Sequence, residues 1–138
     1  MNSYKKFKEK MTKEVNSLPM MFAFSNEQFE EGKKKLGVKE NSELVSIGAG
    51  GFMKKNDIQL LRDMRDRHNK EFAEKIKDDK FLYEAFLHEL WNHEFCITFD
   101  PEPTVNALCF TMEEFEKDER ALKIFQKAKK DYLEGCDY

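Results

Sequence analysis

No two cysteines in this chain have C-x-x-C spacing, and only three, Cys96, Cys109 and Cys136, occur among its 138 residues. An odd number without that spacing gives no disulfide framework and no zinc-ribbon signature, and it suits free thiols in a reducing compartment. Long hydrophobic runs are missing too. The longest, such as Met20 to Phe24, fall far short of the ~20 residues that a membrane-spanning helix needs. The amino terminus is charged and has no apolar h-region, so no secretory leader is expected. Internal repeats, low-complexity tracts and linkers are also absent. The net charge is only −3 and the pI about 5.7, which leaves no global attraction to nucleic acid or anionic lipid. These absences predict a soluble cytoplasmic protein without membrane contact.

The chain does have thirteen phenylalanines, with 13% aromatic and 37% charged residues. That much aromatic area argues against disorder. The length fits one domain, residues 1–138, with 1–18 as an N-terminal helical extension. A chain of this size buries roughly two-thirds of its unfolded surface and needs no staple.

Periodicity and capping signals outline the elements. Tyr4, Phe7, Met11, Val15 and Leu18 recur at i+3 and i+4 and form a helical stripe, stopped by Pro19. Met20 to Phe24 reads as a short buried strand. Ser25 and Gln28 match a capping box for a helix that Gly37 ends. Leu44 to Gly48 is a second strand, and Gly48-Ala49-Gly50-Gly51 turns it into a partner at Phe52 and Met53. Asn56 and Gln59 match another capping box, opening a helix to about Lys77 with Leu61, Met64, His68, Phe72 and Ile76 inward. Asp78 and Asp79 break and recap the chain before a helix starting near Phe81. Phe95 to Phe99 reads as a strand, followed by a helical turn over Thr104 to Leu108. Thr111 and Glu114 form a third capping box for a last helix that buries Phe115, Leu122, Phe125, Ala128 and Tyr132 and closes at Gly135. The predicted class is α+β, with about five helices around a sheet of three or four short strands.

The stretch Phe81 to Asp100 holds the only Trp and two of the three His. His88-Glu89-Leu90-Trp91-Asn92-His93 comes close to the H-E-x-x-H metalloprotease helix, whose histidines sit at i and i+4. Here they sit at i and i+5, about 140° apart around a helix, and face different sides. A looser metal site from His93, Glu94, Asp100 and Glu102 would have to bridge a five-residue strand of roughly 16 Å. Neither arrangement is expected to bind metal, and no cofactor is expected. Gly48-x-Gly50-Gly51 lacks the third glycine of a dinucleotide loop and any G-K-[ST]; a tight hairpin explains it. His68 reads as a hydrogen-bonded core histidine. Cys96, three residues from His93, lacks a nucleophile motif.

Charge is segregated. Lys5, Lys6, Lys8, Lys10 and Lys13 crowd the first helix, and Glu113, Glu114, Glu116, Asp118 and Glu119 crowd the start of the last. Carboxylates there suit the helix dipole, and such a face could also mimic nucleic acid in a basic groove.

The segments Met21-Phe22-Ala23-Phe24-Ser25-Asn26-Glu27-Gln28-Phe29 and Ser46-Ile47-Gly48-Ala49-Gly50-Gly51-Phe52, with Asn92-His93-Glu94-Phe95-Cys96, Thr98 and Asp100, carry a resemblance. Over about residues 20–115 the chain resembles small proteins found in phages and mobile elements of Gram-positive bacteria. The resemblance implies a phage-type accessory protein working in the host cytoplasm, with no catalytic residues to carry over. Proteins of that kind often bind and block host proteins, CRISPR and other defence effectors among them.

The leading expectation is therefore a non-enzymatic protein that binds and modulates a host protein or nucleoprotein complex, as an anti-CRISPR or other anti-defence inhibitor. Its expected contacts are Lys5, Lys6 and Lys10, the turn residues Gly50 and Gly51, and the acidic Glu113, Glu114 and Glu116. Homodimerisation through the aromatic-rich helix is a further expectation. Two alternatives stay open: a small enzyme using His93 and Glu94 as an acid-base pair, and a nucleic-acid binder working through the basic first helix, against which the net charge counts.

Overall fold

The Tyr4-Phe7-Met11 stripe forms α1 (Ser3–Asn16), which ends ahead of Pro19 in the computed structural model, where residues 2–136 are described. β1 (Met20–Phe22) follows. It buries only Met21, leaving Phe22 and Phe24 exposed, so the expected buried strand is shorter and more open than its apolar run implies. Ser25 takes an extended backbone to cap α2 (Asn26–Leu36), accepting a hydrogen bond from the Gln28 N–H at 3.2 Å. Gln28 reaches back one residue beyond the cap, and its Oε1 accepts from the Phe24 N–H at 2.8 Å. Gly37 ends the helix at φ 72°, the left-handed C-cap that glycine adopts without strain.

β2 (Leu44–Gly48) and β3 (Gly51–Lys54) form the predicted hairpin. Gly48, Ala49 and Gly50 all turn through positive φ. The sheet is antiparallel in the order β1-β3-β2. α3 (Ile58–Lys75) does not begin with the Asn56/Gln59 capping box. A 3-10 turn at Lys55–Asp57 satisfies the first free donor, with the Ile58 N–H bonding the Lys55 carbonyl. Gln59 instead donates along the helix to Asp63 at 2.8 Å.

Asp78 caps α4 (Asp79–Asn92) by accepting from the Phe81 N–H at 3.0 Å. Phe95 to Phe99, expected as a strand, is the short helix α5 (Phe95–Thr98). In a strand, Phe95, Ile97 and Phe99 would share one face. Here Phe95 is buried while Ile97 and Phe99 are 72% and 58% exposed. Glu94 and Phe99 bracket the turn in the left-handed region, and the Tyr132 hydroxyl accepts the Cys96 N–H at 2.8 Å. The Ile97, Thr98 and Phe99 N–H groups bond the Glu94 and Phe95 carbonyls, so the helical turn with one hydroxyl takes the place of a strand partner.

α6 (Glu102–Ala107) follows. The expected last helix is two, α7 (Met112–Lys117) and α8 (Glu119–Glu134), divided at Asp118. Thr111 and Glu114 make the complete reciprocal capping box of α7. Among the described residues there are eight α-helices, more than the predicted five because α5, α6 and α7 are short. No helix among them is long and apolar enough to cross a membrane.

The Asp118 backbone is extended (φ −95°, ψ 97°), and its side chain accepts from the Ala121 N–H at 2.9 Å. Asp118→Ala is expected to cost about 1 kcal/mol and Asp118→Asn nearly nothing, measurable as a shift in urea midpoint at constant m-value.

The described chain divides into two compact units, residues 10–70 and residues 2–9 with 71–136; the division falls within α1 and α3. In the first unit, Met21, Val38 and Leu44 form a core against Phe29, Leu36 and Phe52. Glu14 there accepts from Arg67 at 2.5 Å and meets His68 Nε2 at 3.0 Å. Those two hydrogen bonds hold the Glu14 carboxyl down to about 2, and they give the buried His68 its partner. In the second unit, Phe86 packs edge-on to Phe115 and Phe125. Tyr4, Phe7, Phe72 and Phe81 form a second aromatic group.

Candidate functional site

The chemistry-bearing centre of the second unit is Glu89. It lies on α4 beside Ala85, Phe86 and Leu90, all fully buried, and is itself only 1% exposed. A carboxylate in such surroundings must be paired and hydrogen-bonded. Oε1 accepts from the Tyr4 hydroxyl at 2.7 Å and from Lys8 Nζ at 2.9 Å. Oε2 accepts from Asn92 Nδ2 at 3.2 Å and faces His93 Nε2 at 3.1 Å. Burial pushes its pKa up, but the hydrogen bonds from Tyr4, Lys8 and Asn92 outweigh that, and the net shift is downward. The same burial and the Glu89 contact push the Tyr4 phenol up. A buried carboxylate held by three hydrogen bonds is an anchor: it ties the start of α1 to α4.

Composition and spacing did not single out this network. The available signal was a pair of carboxylates, Glu84 and Glu89, inside the most apolar helix, with Tyr4 and Lys8 one turn apart on α1 to meet the second. The near-miss histidines behave as their spacing requires. His88 packs against the Tyr4 ring at 5.6 Å, and burial lowers its pKa, while His93 turns to Glu89. Glu94 is exposed at φ 51° and caps α5 without a side-chain hydrogen bond. His93 thus takes its carboxylate contact from Glu89, one turn back on the helix. Among the described residues no group of three His, Cys, Asp or Glu side chains is placed to hold a metal ion.

The other candidate residues are distributed as follows. Lys5, Lys6 and Lys10 are exposed on α1, and Lys8 pairs with Glu89. Glu113, Glu114 and Glu116 are exposed at the start of α7; Glu114 is committed to the capping box, and Glu113 pairs with Lys117 at 3.0 Å. Gly50 and Gly51 do not themselves form a surface. A Cβ at Gly50 would meet the Phe24 ring at 2.5 Å, and one at Gly51 would meet Ile47 at 2.8 Å and Phe22 at 3.0 Å. The two glycines therefore act as seats for two phenylalanine rings. Those rings stay in water, Phe24 78% and Phe22 54% exposed.

A model of the DUF7659 family, a family of unknown function, matches residues 3–131. The chain belongs to that family. The match takes in α1, the glycine turn, the Glu89 network and nearly all of α8. No curated protein and no solved structure matches the chain.

Proposed function

We propose that this member of the family is a non-enzymatic binding protein that docks on a partner through the Phe22/Phe24 surface at the glycine turn. The observation that supports this reading is the exposed ring pair. Two phenylalanines two residues apart lie against adjacent glycines and remain exposed. Aromatic anchors of this kind dominate interface energetics, and fully burying one phenylalanine is worth about 1.5–3 kcal/mol. The finer reading, carried by the resemblance over residues 20–115, makes the partner a host protein or nucleoprotein complex of a Gram-positive bacterium. In that reading the protein is a phage-type anti-defence inhibitor. The exposed Glu113 and Glu116 are then a second contact for a basic surface.

The alternatives have less support. Lys8 is withdrawn from the basic helix by its ion pair, and His93 lies 3.1 Å from the buried Glu89 carboxylate instead of pairing with Glu94.

Tagged wild-type protein and Phe24→Ser, used as baits side by side in a bacterial lysate, test the proposal. Phe24 is so exposed that the substitution should change stability by no more than about 0.5 kcal/mol. Loss of a stoichiometric partner from the variant alone is expected; equal recovery by both baits, or no partner for the wild type, would overturn it.

A further inference from the structure

β1 is an edge of the sheet, and its register shows which of its backbone groups are free. The Ala23 N–H donates to the Gly50 carbonyl at 2.9 Å, and Met21 pairs with Phe52 and Met20 with Met53. In an antiparallel ladder successive residues alternate between facing the partner strand and facing away. Met21 and Ala23 therefore direct their N–H and C=O groups to β3, and Met20 and Phe22 direct theirs outward. Among the described residues no backbone or side-chain group takes up those outward groups.

A groove of about 370 Å³ runs beside this strand. One wall is β1 and the other is α2, through Gln28, Glu31, Gly32 and Lys35; no residue of β2 or β3 lines it. It therefore opens on the free side of the sheet. Gly32 sets its width: a Cβ there would run into the Met21 sulfur and lie 3.1 Å from the Met21 Cβ, so a larger residue would displace the Met21 side chain or push the helix from the strand. Glu31 and Lys35 stand one helical turn apart on the groove wall, and neither has an ion-pair partner among the described residues. Phe22 also lines the groove, and its exposed ring stands on the opposite face of the strand from Met21.

We propose that this groove receives an extended peptide segment of the partner, which adds to β1 as a fourth strand. Main-chain hydrogen bonds to Met20 and Phe22 hold the peptide, as in other cases of strand addition. One of its side chains packs on the Phe22 ring, and a basic and an acidic residue meet Glu31 and Lys35. The inference rests on the binding-protein reading and specifies the chemistry of the partner. β1 is three residues long, so the ladder is short and the rings must contribute alongside it.

The test uses peptides selected on the intact protein from a random display library, with affinities measured by calorimetry. Each selected peptide is then N-methylated at one position at a time. Strand addition predicts that methylation weakens binding about tenfold at every second residue, the worth of a lost hydrogen bond, and is tolerated between. Phe22→Pro removes the outward N–H and no ladder bond, a position where an edge strand accepts proline; it should abolish binding, while Phe22→Val, which keeps the N–H and loses only the ring packing, should weaken it less. Methylation without a two-residue period, or undiminished binding by Phe22→Pro, would overturn the proposal. If Phe22→Pro fails to fold, the methylation period alone decides. If no peptide binds while the wild-type bait still retains a protein that Phe24→Ser loses, strand addition is wrong and the binding-protein reading stands.

Discussion

Replacing Glu89 with alanine is expected to destabilise the protein by about 3–5 kcal/mol, the usual result of removing one partner from a buried ion pair. The loss has two sources. The Tyr4 hydroxyl, itself buried, loses its acceptor at 2.7 Å, and an unsatisfied buried donor costs about 1–3 kcal/mol. Lys8 and His93 also lose the carboxylate they face. Glu89→Gln keeps the volume and one acceptor oxygen and should cost clearly less. Removing the hydroxyl together with the carboxylate, as Tyr4→Phe with Glu89→Leu, should recover much of the loss, because the buried donor is gone and Lys8 and His93 are exposed enough to be solvated.

The same residue sets a pH dependence. Its folded pKa lies below the ordinary value of 4.5, so the unfolded chain takes up a proton first as pH falls. Its contribution is complete above 4.5 and is lost as pH falls through the folded value. Denaturant titrations of wild type and Glu89→Gln from neutral pH downward should converge in the acid range; a constant gap would contradict the assignment.

Phe86→Ala is expected to cost a comparable 3–5 kcal/mol, roughly, for a fully buried ring truncated in a packed core. Phe86 has no exposed surface. It lies edge-on to Phe125 at 5.3 Å and to Phe115 at 6.0 Å, while those two rings pack on each other at 5.2 Å. Each such pair contributes about 0.5–1.5 kcal/mol beyond its buried area, so one substitution removes two of three. Phe86→Leu, which refills part of the space, should recover a substantial share. A loss below about 1 kcal/mol for Phe86→Ala, measured by urea unfolding, would show that α4, α7 and α8 do not share this core.

Local chemistry made much of the fold legible. Ser25 and Gly37, Asp78, and the Thr111/Glu114 box are read from a few neighbouring residues, and each does in the structure what its spacing implies. The glycine hairpin is of the same kind, since successive positive φ angles leave few other residues acceptable. What local pattern could not supply was any partner distant in sequence. Phe95 to Phe99 has strand composition, yet its N–H groups bond locally to Glu94 and Phe95, and the acceptor for the Cys96 N–H is Tyr132, 36 residues later. The Asn56/Gln59 box has the right letters, but the 3-10 turn before it had already met the need. The Glu89 network joins residues 85 apart in sequence, and no spacing rule reaches that far. The exposed phenylalanines were legible as apolar letters, and the seats that Gly50 and Gly51 provide for them were visible only once the hairpin was folded.

Amide hydrogen exchange of the intact chain, alone and with the partner that its wild-type form retains, tests the central claim most directly. The account predicts new protection concentrated in residues 20–24 and 48–52, with the amides around Glu89 unchanged. Protection confined to the region around His93, or none at residues 20–24, would contradict it.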